Sequence, residues 1–480
     1  MVLNSYRRKL RCLGLGVLAV GSAIPVHAQI EALDRLAPQV SEGDYSGCAG
    51  TATLRTLNAD PSNYLSFLPG LVAGDRLVLA AGTYASGLPL ANKTGAPGQC
   101  IVIEGPAAGP SARFTGRDCC NTVSISDSRY LVIRNLELDG EGRAGDGVKA
   151  EGTAQWAHHI TLENLYIHGH GAHQQIVGIN TKCPTWNWVI RRNVIEGAGT
   201  GLYLGNSDGE DEFVNGLVEF NLVRDTLGYN MQVKHQNGRA TALGSPASGR
   251  TVIRHNVFSK AQNGATGGNA RPNLLVGHWP LAGPGSSDVY EIYGNFFHQN
   301  PTEALFQGEG NVAFYANLLL NGFGTAINVQ PHEDLPRLIR VFENTVVATG
   351  TGIRVTGGDP GYTQRVVGNA VFAGTPLSGG TQLDNVAGTY ASAAGSLTNP
   401  LGVISGTTNR LDLYPLPGVL LGSPIDRSGL SIYDDWDRDF GGSVQGGSRR
   451  GAYAGEGMNP GWTLALTRKE EWIFRDGFEG

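Results

Sequence analysis

The segment GYNMQVKHQNG, residues 228–238, places a lysine and a histidine side by side after an alternating apolar stretch. A lysine can act as a general base when burial or nearby cations depress its pKa, and a histidine can exchange a proton near neutral pH. Lys234 and His235 could therefore carry out proton-transfer chemistry at the end of a strand. The plainer alternative is an ordinary solvated pair on a strand surface.

Further titratable residues stand at the ends of similar segments. His278 ends PNLLVGH, Glu309 lies in EALFQGEG, and the segment NSDGEDEF at 206–213 concentrates acids in one loop. Carboxylate oxygens can bind Ca²⁺, so Ca²⁺ is the cofactor that we expect. The loop lacks the spacing of an EF-hand, and a solvated acidic turn is the alternative. The expected Ca²⁺ ligands are Asp208, Glu210 and Asp211.

An internal repeat must position these residues. Segments of the type LVIRNLELDG and VIRHNVFSKA align on one asparagine, and each is followed by a second short strand such as YNMQVKH. One such unit cannot bury its apolar face, whereas stacked units share a continuous core. Alternating strands with Gly- and Asn-rich corners therefore predict an all-β parallel solenoid. The aligned residues are Asn135, Asn164, Asn193, Asn221, Asn256, Asn295, Asn317, Asn344 and Asn369.

This pattern resembles the right-handed parallel β-helix proteins, the pectate-lyase-like superfamily of secreted bacterial proteins, over roughly residues 45–455. LVAGDRLVLAAGTYASGLPL resembles the first coil of such proteins, and the stretch from GSPIDRSG to RRGAYAGEG resembles their closing coils. The resemblance implies an all-β fold, a right-handed parallel β-helix with an asparagine ladder. We expect residues 29–455 to form this domain and residues 456–480 to form a tail that could carry a sorting tag.

The N-terminus has the features of a secretory signal peptide. A basic start, an apolar run and the small-residue site VHA make residues 1–28 the expected signal, and no later run is long and apolar enough for a membrane span. Cleavage removes four basic residues and no acid, so the formal net charge of −6 becomes −10. Because nucleic-acid binding needs a basic surface, we expect no nucleic-acid partner. We expect a monomer without a membrane span that is secreted, or that stays in the periplasm or at the cell surface.

Cysteine usage agrees with export. Five cysteines remain after the predicted cleavage, and most of them precede the repeat array, so a disulfide at the N-terminal end is expected. The odd number leaves one thiol free, and the pairing stays open. The five are Cys48, Cys100, Cys119, Cys120 and Cys183.

Strand alternation predicts which side chains point outward around Lys234. Met231 and Val233 should face the core, which leaves Gln232 and Lys234 outside. Glycines on the neighbouring coils would leave a trough at Lys234, beside an apolar outward strip. Such a combination suits an extended ligand site. The other residues assigned to this surface are Tyr203, Gly205, Leu275, Gly277 and Phe306, with His278 and Glu309 at the turns.

The resemblance implies a polysaccharide lyase that acts on a uronate-containing polymer by β-elimination. Lys234 would then be the base and His235 or His278 the proton donor, because lyases of this fold use Lys or Arg to remove the proton next to a uronate carboxylate. Arg271 and Arg239 are the nearest cations in the chain that could neutralise that carboxylate. The expected substrate-binding residues are Tyr203, Gln232, Arg239, Phe306 and Glu309.

Two other functions stay open. A glycoside hydrolase of the same fold would use Glu309 with a carboxylate of the 208–212 loop, and a non-catalytic protein would only bind polysaccharide. The ARPN segment at 270–273 and the Gly-His-Gly at 169–171 match known catalytic motifs only superficially, so no catalytic family is indicated. The three histidines of IHGHGAHQQ also lack the spacing of a standard metal site.

Overall fold

The computed structural model describes residues 45–405 and 408–469. Over most of this length the chain winds into a right-handed parallel β-helix, in which each coil contributes strands to parallel sheets along the solenoid. The predicted signal peptide and the residues after 469 lie outside the described part. No helix among the described residues has the length and apolar character needed to cross a membrane.

The strands that end just before the repeated asparagine of each coil form one parallel sheet, which we call face 1; the turn at that asparagine is the asparagine corner. Neighbouring strands pair in parallel from one end of the solenoid to the other, and two short strands extend the sheet in the middle coils. The strands are Arg55–Ala59, Asp75–Leu79, Ile101–Glu104, Ser128–Arg134, Ala157–Glu163, Thr185–Trp186, Val189–Arg191, Phe213–Val214, Leu217–Glu219, Arg250–Arg254, Val289–Tyr293, Gly310–Tyr315, Pro336–Phe342, Gln364–Val367 and Thr381–Leu383.

Face 2 follows the asparagine corner. Its strands are Gly82–Tyr84, Ala112–Thr115, Leu136–Asp139, Tyr166–His168, Val194–Glu196, Leu222–Arg224, Val257–Ser259, Phe296–His298, Leu318–Asn321, the first parts of Thr345–Val355 and Ala370–Gly379, and Val386–Gly388. The two long strands turn the next corner without a break and so join faces 2 and 3.

Face 3 carries the segment with Lys234. Its strands are Leu88–Ala91, Val123–Ser126, Val148–Glu151, Val177–Thr181, Thr200–Leu204, Met231–Val233, Leu274–Val276, Phe306–Gly308, Ile327–Val329 and the second parts of the two long strands. Helical and antiparallel elements are short. They are the α-helix Tyr64–Phe67, the 3₁₀ helices Leu68–Gly70, Thr241–Leu243, Gly267–Asn269 and Tyr390–Gly395, and the antiparallel pairs Leu397–Asn399 with Asp412–Pro415 and Ile404–Ser405 with Thr408–Asn409.

Stacked asparagines occupy the corner between faces 1 and 2. Each side-chain Nδ2 donates to Oδ1 of the asparagine on the next coil, at 2.9–3.1 Å, and that Oδ1 also accepts a main-chain N–H. These bonds satisfy buried main-chain groups that a corner would otherwise leave unpaired. The stacked residues are Asn193, Asn221, Asn256, Asn295, Asn317, Asn344, Asn369 and Asn385.

The predicted alignment is wrong by one residue in the first two coils. Glu163 pairs with Arg191, which places Asn164 level with Arg192 rather than with Asn193. Asn135 and Asn164 have φ values of 58° and 52°, so they take the left-handed position just before the corner. Asparagine is favoured there because it tolerates positive φ, which is why the same residue type misled the alignment.

The C-terminal part of the chain does not add the predicted closing coils. It runs back along the outside of the solenoid, where Tyr453 and Trp462 pack with outward side chains of face 2 and Tyr433 packs with those of face 1. Lys469 is buried and donates to the carbonyl oxygens of Gly294 and Phe440 at 3.0 and 2.7 Å. Residues 456–469, predicted to be a separate tail, therefore pack along the outside of the solenoid.

The disulfides include the bridge that was predicted at the N-terminal end. Cys48 is bonded to Cys100 at the N-terminal end, and Cys119 is bonded to its neighbour Cys120. Cys183 is free and buried. Five cysteines thus leave one thiol unpaired, as predicted.

Replacing Asn256 by Ala should destabilise the solenoid by at least about 2 kcal/mol, because buried groups of both neighbouring coils lose their partners. Asn58→Ala changes an exposed asparagine on a strand of the same face and should cost less than about 0.5 kcal/mol. Urea unfolding followed by circular dichroism compares the two. Equal losses would contradict the role given to the stacked amides.

Candidate functional site

Lys234 lies between two glycines on the outer surface of face 3. The pairing of Leu204 with Val233 and of Val233 with Val276 sets Gly205 and Gly277 on the coils either side of it. A Cβ on Gly205 would lie 3.3 Å from Lys234 Cβ, and one on Gly277 would collide with the main chain of His235. Side chains at these two positions would therefore not fit, and the trough around Lys234 stays a prediction.

The structure places Phe306 in the core, so the prediction that it faces outward is wrong. Phe306 pairs with Leu274 and is fully buried, whereas Gln307 pairs with the outward residue Leu275. Alternation fails here because Leu305, at the corner, is buried as well. Gly308 pairs with Val276, so Glu309, rather than a glycine, stacks in line with Gly277 and Lys234.

Lys234 is only 9% exposed, yet its ammonium has no hydrogen bond or ion pair with the described residues. Burial lowers the pKa of Lys234, and the carboxylates of Glu333, Glu309 and Asp208 act in the opposite direction. A lysine that loses hydration without gaining a partner gives up its proton more readily than an exposed one. This is the environment that a lysine base requires.

Two imidazoles lie beside Lys234. The ring centroids of His235 and His278 are 5.3 Å apart, and His278 donates from Nδ1 to the Trp279 carbonyl at 2.8 Å. Burial and the nearby Lys234 lower the pKa of His235, whose Nδ1 lies 3.8 Å from a Glu333 oxygen. The predicted trio of Lys234, His235 and His278 is therefore close together at one end of the strands of face 3.

Glu309 holds a loop rather than facing the trough. Its Oε1 accepts from the His278 N–H at 3.2 Å, and its Oε2 accepts from the N–H groups of His332, Glu333 and Asp334 at 2.9–3.0 Å. Only 1% of Glu309 is exposed. The residue is thus a positioning group that brings Glu333 towards His235, and the geometry gives no support to its predicted contact with substrate.

The structure brings neither predicted arginine to Lys234. The Arg239 side chain is fully buried, pairs with Asp288 at 2.7 Å and donates to the Pro246 carbonyl at 2.6 Å. A buried carboxylate needs such a partner, which accounts for the inward direction of Arg239. Arg271 precedes the strand Leu274–Val276 whereas His278 follows it, so the two ends lie on the order of 20 Å apart along the chain.

Lys182 and Lys149, two and three coils from Lys234, supply positive charge that was not predicted as part of the site. Lys182 lies 4.1 Å from the ring centroid of Tyr203 and donates to Asn206 Oδ1 at 3.3 Å. Burial lowers the pKa of Lys182, and the positive charges of Lys149 and Lys234 lower it further. On face 3, Lys149 stacks in line with Tyr203 and Gln232, and Lys182 stacks in line with Lys234. The alternation of outward and inward residues could have assigned both lysines to this surface.

The acidic loop before Lys234 does not fit the expected Ca²⁺ site. Its carboxylates accept from side-chain amides: Asn206 donates to Asp208 at 3.4 Å and to Asp211 at 2.9 Å, and Asn237 donates to Glu210 at 3.0 Å. Among the described residues, one group of at least three His, Cys, Asp or Glu side chains has ligand atoms within 4.8 Å of one another. It consists of Glu137, Asp139 and His168. That group lies on face 2, away from the loop.

Comparisons with known proteins give matches among solved structures. No family model matches the chain, and no curated protein matches it. Among solved structures, the pectate lyase Pel9A is 13% identical with a TM-score of 0.42, over 89% of this chain and 100% of that one. An alginate lyase from Paenibacillus sp. str. FPU-7 is 15% identical with a TM-score of 0.32, over 70% and 99%. PfbA, a surface adhesin of Streptococcus pneumoniae, is 10% identical with a TM-score of 0.35, over 64% and 71%.

Glu309→Gln should loosen the loop that carries His332 and Glu333, because an amide replaces the carboxylate that accepts four main-chain N–H groups. The loss of charge-assisted hydrogen bonds of about 1.5–3 kcal/mol corresponds to roughly 10- to 100-fold faster amide exchange at residues 332–334. Glu333→Gln is the matched control, since that carboxylate is half-exposed. Hydrogen exchange measures both, and unchanged protection in Glu309→Gln would contradict the anchoring role.

Proposed function

We propose that the protein is an exported lyase that cleaves a uronate-containing polysaccharide by β-elimination, with the polymer lying on face 3. The observation that carries the proposal is the ammonium of Lys234, which is partly desolvated, has no partner among the described residues and lies beside two histidines.

In the proposed reaction, neutral Lys234 takes the proton on the carbon next to the uronate carboxylate. The electron pair left behind forms a carbon–carbon double bond and expels the glycosidic oxygen, which receives a proton from His235 or His278. The products are a new reducing end and an unsaturated uronate. Lys234 gains one proton and a histidine loses one, so the site must exchange both with solvent before the next turnover.

The negative charge of the substrate needs a cationic partner, and the proposal gives that task to Lys182 and Lys149. Lys182 lies two coils from Lys234 and Lys149 lies three coils from it, and the positive charges of the two reach one another. Lys149 already pairs with Glu151 at 2.6 Å, so Lys182 is the stronger candidate. Tyr203, against which Lys182 packs, completes the proposed binding surface, whereas the predicted residue Gln232 is buried at 3% exposure.

Binding without cleavage is the second candidate function. Lys149, Lys182 and Lys234, with Tyr203 beside Lys182, would hold an anionic polymer even if no proton were transferred. The hydrolase alternative is weaker, because both oxygens of Glu309 are occupied by main-chain N–H groups. No step is assigned to Ca²⁺, since the loop at 206–213 does not gather its carboxylates.

Incubation with alginate, pectate and glycosaminoglycans, with and without added Ca²⁺, tests the proposal. Unsaturated uronates absorb near 235 nm, so a rising absorbance is the expected result. A polymer that binds with no rise in absorbance and no new reducing ends would support the binding protein instead. New reducing ends without the absorbance would support a hydrolase.

Lys234→Arg should abolish cleavage while the polymer still binds, because arginine keeps the positive charge but stays protonated. We expect the rate to fall by about 10²- to 10⁴-fold, the usual contribution of a general base. Lys93→Arg, another buried lysine near the N-terminal end, is the control and should leave the rate unchanged. Lys234→Arg with the wild-type rate would exclude Lys234 as the base.

A further inference from the structure

A second cluster of ligating side chains lies on the outer surface of face 2. Glu137 and Asp139 are two residues apart on Leu136–Asp139 and so point the same way. His168 pairs directly with Asp139 from the next coil. One atom of each of the three side chains lies within 4.8 Å of the others, and all three side chains are partly buried.

Neighbouring groups orient the two carboxylates. Ser111 Oγ bonds Oε2 of Glu137, and Arg113 pairs with Oδ2 of Asp139. The other oxygens face the imidazole, with 3.1 Å from Glu137 Oε1 to His168 Nε2 and 3.6 Å from Asp139 Oδ1 to His168 Nδ1. Glu137 Oε1 also lies 3.6 Å from Arg113 Nε, and Asp139 Oδ1 also accepts from the Glu141 N–H at 2.9 Å. Outer partners of this kind hold metal ligands in position in protein sites.

The imidazole and the space next to it are also arranged by the fold. The Tyr166 ring stacks on His168 with 4.3 Å between centroids, which fixes the plane of the imidazole. Gly169 has a φ of 70°, and a Cβ there would lie 2.5 Å from Asp139 Oδ1. A side chain at position 169 would therefore occupy the space beside the ligand oxygen.

We propose that Glu137, Asp139 and His168 bind one divalent transition-metal cation of the Zn²⁺ class, which would link two coils on face 2. One imidazole nitrogen and two carboxylate oxygens, with solvent in the remaining position, match the ligands that Zn²⁺ takes. Ca²⁺ prefers six to eight oxygen ligands and is a poorer match. The guanidinium of Arg113 lowers the affinity, and Glu141, 3.3 Å from Arg113, offsets part of that charge.

The site does not depend on the proposed lyase activity. Its ligands stand on a different face from Lys234, and its effect is to stabilise the folded chain by mass action, since the unfolded chain does not gather the three side chains.

Calorimetric titration of the EDTA-treated, dialysed protein with Zn²⁺ tests the proposal. We expect His168→Ala and the nearly isosteric Glu137→Gln each to lose one equivalent of bound Zn²⁺. Both should also lose the rise in melting temperature that Zn²⁺ gives the wild type. His173→Ala, which removes an exposed histidine of the following loop, should retain both. Ser111→Ala should weaken binding by about 10- to 100-fold.

The proposal is overturned if the wild type binds no Zn²⁺, or if both ligand variants bind it as the wild type does. Either result would leave the cluster as an ion-pair network with Arg113. Any Ca²⁺ that the wild type binds should also bind to the ligand variants. If the wild type binds Ca²⁺ more tightly than Zn²⁺ at this site, the assigned metal class is wrong. Circular dichroism without metal identifies a variant that fails to fold, in which case the other ligand variant decides.

Discussion

The pairing of each strand with the same position on the next coil is the constraint on which the whole structure depends. Parallel hydrogen bonding fixes the coil separation at about 4.8 Å, so a residue on one coil must suit its counterparts directly above and below. The interior meets this requirement with stacked aliphatic and aromatic side chains. The corner meets it with asparagines whose amides bond one another and the adjacent main chain.

The same constraint produces the environment of Lys234. At Gly205 and Gly277 a side chain would collide with Lys234 or with the adjacent main chain of His235, and Asp208 and Glu333 supply carboxylates at a distance rather than a direct partner. Desolvation is therefore not compensated by an ion pair, and the balance favours the neutral amine more than it would in an exposed lysine. Glu309 contributes indirectly, because it anchors the loop that faces His235.

The sequence was sufficient for the architecture and for part of the site. Repeats, alternation and glycine spacing correctly predicted the solenoid, the outward direction of Lys234 and the closeness of His235 and His278. The errors arose where one residue type or pattern can occupy two adjacent positions. Asn164 fits the left-handed corner as well as the stack, and Leu305 and Phe306 are both buried. Arg239 was assigned by its distance along the chain, which says nothing about the buried Asp288 that it neutralises. The C-terminal segment that runs back along the outside of the solenoid contains no repeat, so its path could not be predicted from the sequence.

The central claim is that Lys234 is a desolvated lysine to which an anionic polymer binds. After the predicted signal peptide the chain has only six lysines, so NMR of ¹³C-methylated lysines can follow each one through a pH titration, with Lys234→Arg assigning the signal. The account predicts that Lys234 titrates below the ordinary lysine value of about 10.4 and that an oligouronate shifts its signal and that of Lys182. A Lys234 signal that titrates at the ordinary value and does not respond to any oligouronate would contradict it.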